Sequence, residues 1–246
     1  MFKKIRAIVR LLFFIGYLLF MIVEILLKTL FLGKDIRRSI PTRHRLTRWF
    51  LPKIGVRFHI DGNSPDTIGI FVCNHRSYLD PAIIACNTFF LPISKAEVAN
   101  WPILGYCARI SGVLFLKREN TGSRKLILDG IGEQLQAGMP ILLFPEGTTH
   151  AKPTTVDFRP GSFLLAARIG FPVIPVMIEY QNPADYWIDT DSFLAHFIRR
   201  FGEKEIHVHV HYGSPMQDTD GLALMQSAKN WIDTELLKVQ SSFTFQ

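Results

Sequence analysis

The residue pair best suited to proton chemistry is His75 and Asp80, inside the stretch TIGIFVCNHRSYLDPA at 67–82. An apolar, β-branched run of Ile68, Ile70, Phe71 and Val72 predicts a buried strand that ends at Asn74 and His75. Asp80 followed by Pro81 predicts a helix start, with Asp80 as N-cap and Pro81 in the first helical position. On one continuous helix, side chains five apart point about 140° away from each other. Across a strand-to-helix turn they can meet. A carboxylate that meets an imidazole accepts from one ring nitrogen and steadies the imidazolium, leaving the other nitrogen to take a proton. The plainer alternative is a helix cap beside a turn histidine bonded to backbone.

Other stretches carry charge to similar places. LFPEGTTH sets Glu146 just past a buried strand, where Gly147 permits a tight path. Loop amides around Gly147, Thr148 and Thr149 suit a hydroxyl or an anion, or simply form an ordinary turn. GVLFLKR delivers Lys117 and Arg118 at the end of a strand, where a guanidinium suits bidentate phosphate binding. His207, His209 and His211 alternate with apolar residues, which predicts the polar outer face of an edge strand. No carboxylate or cysteine completes a metal set with them. The three cysteines (Cys73, Cys86 and Cys107) show no metal spacing and read as reduced, buried thiols in a reducing compartment. A nucleophilic Cys73 would require thiolate character. G-x-S-x-G, the P-loop, G-x-G-x-x-G and H-E-x-x-H are all missing from the sequence. That argues against serine hydrolases, P-loop enzymes, Rossmann dehydrogenases and zincins.

The elements that must position these residues divide the chain in two. Residues 1–10 are basic and 11–23 are an apolar run, too short to span a bilayer alone. Glu24 and Lys28 follow at i,i+4 spacing and could pair. Counted through Phe31, the segment could span a membrane, or lie in the interface as an amphipathic helix. No small-x-small site follows it, so attachment without cleavage is expected. Residues 34–59 mix Arg and Lys with aromatic and aliphatic residues and predict a second helix at headgroup level, with arginines and Trp49 as anchors. Residues 1–60 hold 13 Lys and Arg against 2 Asp and Glu, while the remainder holds 15 against 19. A basic excess confined beside the most apolar segment fits an anionic membrane surface better than a nucleic acid. From residue 54 the pattern is α/β, with strands expected around IGVRFHIDG, the His75 run, GVLFLKREN, PILLFPEGT, FPVIPVMIEY and KEIHVHVHYG. Residues 92–110 carry Lys95 and an apolar helix. The expected fold is α/β, a mostly parallel or mixed sheet flanked by helices behind an N-terminal membrane-associated helical segment. The expected division is 1–53 for membrane attachment and 54–246 for a catalytic domain.

NHRSYLD, GVLFLKR, FPEGT and VIPV, in this order after a basic, apolar N-terminus, resemble the four blocks of the glycerolipid acyltransferases. That family includes the 1-acylglycerol-3-phosphate and lysophospholipid acyltransferases. The resemblance covers roughly 55–215 and implies a catalytic base at His75 with Asp80 as partner in an H-x4-D block. It implies an acceptor-phosphate contact at Arg118, in a block with Gly112 and Phe115. Glu146, Gly147 and Thr148 would hold the glycerol and phosphate, Pro175 would line the acyl-donor side, and Lys95 would lie near the phosphate. One departure bears on the acceptor. Phosphatidate-forming members commonly read E-G-T-R, whereas Thr149 and then His150 follow here. Arg159 or Lys95 could compensate, or the acceptor could be a lysophospholipid or lyso-aminolipid. The resemblance implies acyl transfer from acyl-CoA or acyl carrier protein to a lysolipid hydroxyl, lysophosphatidate first among acceptors, with no cofactor, no metal and no nucleic acid. It also implies a membrane location with the catalytic domain on the cytoplasmic face. A lipid-binding scaffold without turnover and a thioesterase are the rival readings.

Overall fold

The computed structural model describes residues 2–33, 35–116, 121–188 and 191–243, with backbone alone for Lys95, Leu116 and 121–126. Strands β1 (Val56–Asp61), β2 (Ile70–Cys73), β3 (Leu91–Lys95), β4 (Leu114–Leu116), β5 (Ile141–Leu143), β6 (Val173–Tyr180) and β7 (Ile206–Tyr212) form one sheet. Their order is β1-β7-β6-β2-β5-β3-β4. β6 and β7 pair antiparallel and the other neighbours parallel, so the sheet is mixed. Parallel neighbours need crossovers, which α3 (Asp80–Ile84), α4 (Leu104–Ile110), α5 (Thr121–Gln136) and α6 (Gly161–Ile169) supply.

The central strands alternate between two apolar faces, as strands covered on both sides must. Phe71, Leu142, Ile174 and Val176 pack under α1 (Phe2–Leu32), α2 (Ser39–Lys53) and α7 (Phe193–Arg200). Ile70, Ile141, Leu143 and Met177 pack under α5, α6 and α8 (Gly221–Phe243). At about 25 cal/mol per Å², each fully buried side chain of this kind contributes roughly 1.5–3 kcal/mol.

Two expectations change here. Residues 92–110 hold the expected apolar helix as α4, but they begin with β3, a strand that the local pattern does not announce, which inserts between β4 and β5 before a 3₁₀ turn at Ala96–Asn100. Five residues containing Pro92 carry little strand signal of their own; pairing of Leu91 with Ile141 makes them a strand. The histidine-bearing strand β7 is not an edge, because β1 lies outside it. His59 of β1 stacks on His209 with ring centroids 4.7 Å apart, and Nδ1 of His211 lies 2.9 Å from Glu235 of α8.

α2 is not simply a headgroup-level helix. Arg43 is buried beneath it, donating to the carbonyls of Ser111 (2.9 Å) and Phe90. Nδ1 of His44 approaches the carbonyl of Ala85 at 2.9 Å. Ser111 and Ala85 are the C-caps of α4 and α3, so α2 supplies partners to carbonyls at two helix ends, where the helix itself offers none. Trp49 does face outward, with the Lys53 ammonium 4.8 Å above its ring.

α1 lies along the domain. Near its start, Lys3 pairs with Glu203 at 2.7 Å, and Arg10 donates to the carbonyls of Phe201, Glu203 and Lys204. The Arg10 guanidinium rests on Gly55, at φ +89°, where any side chain would collide with it. Midway, Tyr17 stacks on Phe50 and bonds Thr47 at 2.9 Å. Near its end, Glu24 pairs with Lys28 and with Arg45 of α2. Leu18, Met21 and Ile25 enter the shared core, while Ile5, Leu12, Phe20, Val23, Leu27 and Phe31 point away from it. A helix apolar all round, docked by one face only, leaves the other for a nonaqueous neighbour. It is the one helix among the described residues long and apolar enough to cross a membrane.

Candidate active site

Parallel β2 and β5 lie side by side, so the residues just after them emerge together at the carboxyl edge of the sheet. After β2 comes Asn74, whose buried amide donates to the carbonyl of Ile178 and accepts from its N–H, both at 2.8 Å. The side chain thereby imitates one more rung of the ladder with β6 and fixes how His75 leaves the strand.

His75 and Asp80 meet across the turn. Nδ1–H of His75 donates to Oδ2 of Asp80 at 2.8 Å. Asp80 is not the N-cap of its helix, as the Asp-Pro pair predicts. It is the first residue of α3, with Leu79 in the cap position, and its carboxylate turns back into the preceding turn. There Oδ2 accepts from the N–H groups of Arg76 (2.7 Å) and Ser77 (2.9 Å), and Oδ1 from the Tyr180 hydroxyl (2.7 Å). A wholly buried carboxylate is tolerable because donors surround it. Burial and the negative charge of Asp80 push the Tyr180 hydroxyl well above its usual range, which keeps it a donor. The His75 ring stacks on Phe144 at 4.0 Å, and its side chain keeps 20% exposure. With Nδ1 committed to Asp80, Nε2 is the nitrogen available for a substrate proton.

Glu146 stands next to this pair. Its Oε1 accepts from the backbone N–H of His75 at 3.1 Å, and its Oε2 from Val156 N at 3.4 Å and, at short range, from Nε2 of His150. Gly147 follows at φ +73°, and the Arg159 guanidinium packs where its Cβ would be, about 3.0 Å away. Sequence position alone does not bring Arg159 to that loop. Thr148 is half-buried, its hydroxyl 3.4 Å from the carbonyl of Thr149. Lys95 ends β3 at the same carboxyl edge. Arg118 lies outside the described residues, two positions past the end of β4.

The structure also finds residues that sequence spacing did not single out. Arg76 has no exposed surface; it donates to the carbonyls of His150, Lys152 and Pro153 and pairs with buried Glu179 at 3.1 Å. Glu179 also accepts from Tyr186 and Gln240. A buried arginine has no periodic signature, whereas His150 could have been noticed as a second imidazole four residues from a second carboxylate. Cys73, by contrast, lies in the core on the α1 side of the sheet. Burial, with Asp80 and Glu146 nearby, pushes its thiol well up, opposite to what a nucleophile needs.

Comparison with known proteins decides the family. The sequence model described as Acyltransferase matches residues 55–179, half of the chain, and spans both histidine–carboxylate pairs. The chain belongs to the acyltransferase family. Among acyltransferases it is 31% identical over 208 residues to a lyso-ornithine lipid O-acyltransferase of Pseudomonas aeruginosa, covering 80% of this chain and 79% of that one. It is 34% identical over 116 residues to a chloroplastic 1-acyl-sn-glycerol-3-phosphate acyltransferase of Arabidopsis thaliana, covering 47% of this chain and 33% of that relative. The crystal structure of the 1-acyl-sn-glycerophosphate acyltransferase PlsC of Thermotoga maritima superposes with a TM-score of 0.70 at 20% identity, over 97% of this chain and 98% of that one. This acyltransferase thus has the PlsC-like mixed α/β fold with an apolar N-terminal helix.

Proposed function

We propose that this acyltransferase moves a fatty acyl group from acyl-CoA or acyl carrier protein to the hydroxyl of a lysolipid, with a lyso-ornithine lipid as the acceptor. The observation that carries the reaction is the His75–Asp80 bond, made by a ring that stays partly exposed. Nε2 of His75 takes the acceptor hydroxyl's proton as its oxygen attacks the thioester carbonyl. The C–S bond then breaks, and the leaving thiolate recovers that proton from the imidazolium. Asp80 holds the ring in place and steadies its charge. With both substrates bound, proximity supplies much of the rate and no acyl-enzyme is needed.

Support for the acceptor comes from the third block. Thr149 occupies the position where phosphatidate-forming members carry arginine, and Arg159 is the cation described at Gly147. One exposed guanidinium suits the carboxylate of an amino-acid headgroup, whereas a dianionic phosphomonoester calls for more positive charge. The long alignment with the Pseudomonas aeruginosa enzyme points the same way. Lysophosphatidate is the second reading, favoured by Arg118 and Lys95 at the positions that the family resemblance gives to phosphate.

α1 rests on the membrane rather than crossing it, because its start is tied to Glu203 of the catalytic domain and its far end to Arg45 of α2, which is itself anchored on that domain through Arg43. Three free cysteines fit a catalytic domain on the cytoplasmic face. Purified protein supplied with one acyl-CoA and a panel of lysolipids tests the reaction and its acceptor by product identity. Acylation of lyso-ornithine lipid ahead of lysophosphatidate is expected. The reverse order moves the acceptor to the second reading, thiol release without an acceptor indicates a thioesterase, and no release indicates a lipid-binding scaffold.

A further inference from the structure

The family resemblance gives Glu146 to the acceptor. In this chain the carboxylate has no exposed side-chain surface, and three protein donors already fill most of its roughly four acceptor positions. One of them comes from His150, whose own ring is fixed from the far side. Nδ1 of His150 accepts from the N–H of Lys152 at 3.1 Å, and Nη1 of Arg76 points at it from 3.3 Å. Two N–H groups aimed at Nδ1 make it the acceptor and put the ring proton on Nε2, facing Glu146. His150 is thereby excluded as a base toward substrate, although it resembles His75 in having a carboxylate partner.

These bonds close a circuit. It runs from the peptide N–H of His75 to Glu146, from Glu146 to His150, and from His150 to Arg76, the next residue in the chain. Arg76 holds its end by donating to three carbonyls of the 150–153 loop and to Glu179. We infer that His150, oriented by Arg76, is a positioning residue: it turns Glu146 so that the carboxylate grips the backbone of His75 while Asp80 grips the ring. The base therefore has two handles, each held by a different carboxylate. Transfer demands that Nε2 stay within hydrogen-bond reach of the acceptor hydroxyl, and a displacement of about 1 Å can cost on the order of 10²-fold in rate. In this chain the third block supports the base and adds no cation for a headgroup. This inference rests on the base role proposed for His75.

Two variants of the full-length protein test it with acyl-CoA and the accepted lysolipid. His150→Leu removes the donor to Glu146 and is expected to lower kcat by about 10–100-fold, with KM for both substrates within about twofold. His150→Gln restores an N–H at about the reach of the ring Nε2 and is expected to recover to within about threefold of the parent. Equal activity in the two variants, or a raised acceptor KM at unchanged kcat, overturns the inference. Ring-nitrogen NMR reads the same point without turnover. The His150 ring, assigned by its disappearance in His150→Gln, is expected to carry its proton on Nε2 and none on Nδ1. A proton on Nδ1 overturns the circuit even if His150→Leu fails to fold. A parent protein that acylates no lysolipid overturns the proposed function instead, and the ring state still judges the circuit.

Discussion

The Tyr78 hydroxyl donates to Nδ1 of His196 across 3.1 Å, tying the turn that carries His75 to α7, the helix packed on α1. Nε2–H of the same ring donates to the carbonyl of Tyr186 at 3.0 Å, so both nitrogens are engaged in the neutral form. Burial first, then the charge of Arg199, holds the His196 pKa below its ordinary 6.5, with Asp191 opposing weakly. A group depressed on folding prefers its proton in the unfolded chain. Its stabilisation is complete above the unfolded value and is lost as pH falls through the folded one. The melting midpoint of the parent is therefore expected to fall below about pH 6.5 more steeply than that of His196→Gln. Parallel declines in the two proteins would place the acid sensitivity elsewhere.

Removing the proposed base should be costly and specific. His75→Ala is expected to reduce kcat by about 10²–10⁴-fold while far-UV circular dichroism and membrane binding stay at the parent's level. Asp80→Asn should fall by a similar factor, and the double variant hardly further, because the two side chains act as one unit. Retention of activity within a few-fold in His75→Ala would take that residue out of the reaction.

Acceptor recognition separates two arginines. Arg159→Ala is expected to raise KM for a carboxylate-bearing lysolipid by about tenfold, the loss of roughly one charge-assisted hydrogen bond. Arg118→Ala should cost more with lysophosphatidate than with an acceptor lacking phosphate. Equal losses on both acceptors would argue against a phosphate contact at Arg118.

The outward face of α1 can be probed without touching the core. Leu12 and Phe20 are 63% and 57% exposed, so Leu12→Glu with Phe20→Glu should leave folding intact. Two charges set against an apolar phase cost several kcal/mol, and co-flotation with anionic vesicles is expected to fall by more than about tenfold. Undiminished flotation would shift attachment to another surface.

How much of this was legible in the sequence depends on range. His75 meeting Asp80 could be read because a strand, a turn and an Asp-Pro start lie within a dozen residues. The alternation of β7 likewise announced its inner face, with Ile206, Val208, Val210 and Tyr212 buried. What escaped was set by partners distant along the chain. Pro92 hides β3 until β5 is alongside, and Arg43 looks like a surface charge until Phe90 and Ser111 present their carbonyls. Asp80 reads as a helix cap until Tyr180, a hundred positions away, claims its second oxygen. Local pattern carries elements, whereas hydrogen-bond partners of buried polar groups depend on topology.

The far end of α8 has a practical consequence for anyone shortening or tagging this chain. The Gln240 amide donates to Glu179 at 2.7 Å and to the carbonyl of Pro153 at 2.9 Å, so the last helical turn helps to satisfy the buried carboxylate that pairs with Arg76. A stop codon placed a few residues early, more than fifty positions past any block of the family signature, would leave that acid short of a donor, and a defect in turnover would be mistaken for a trimmed tail.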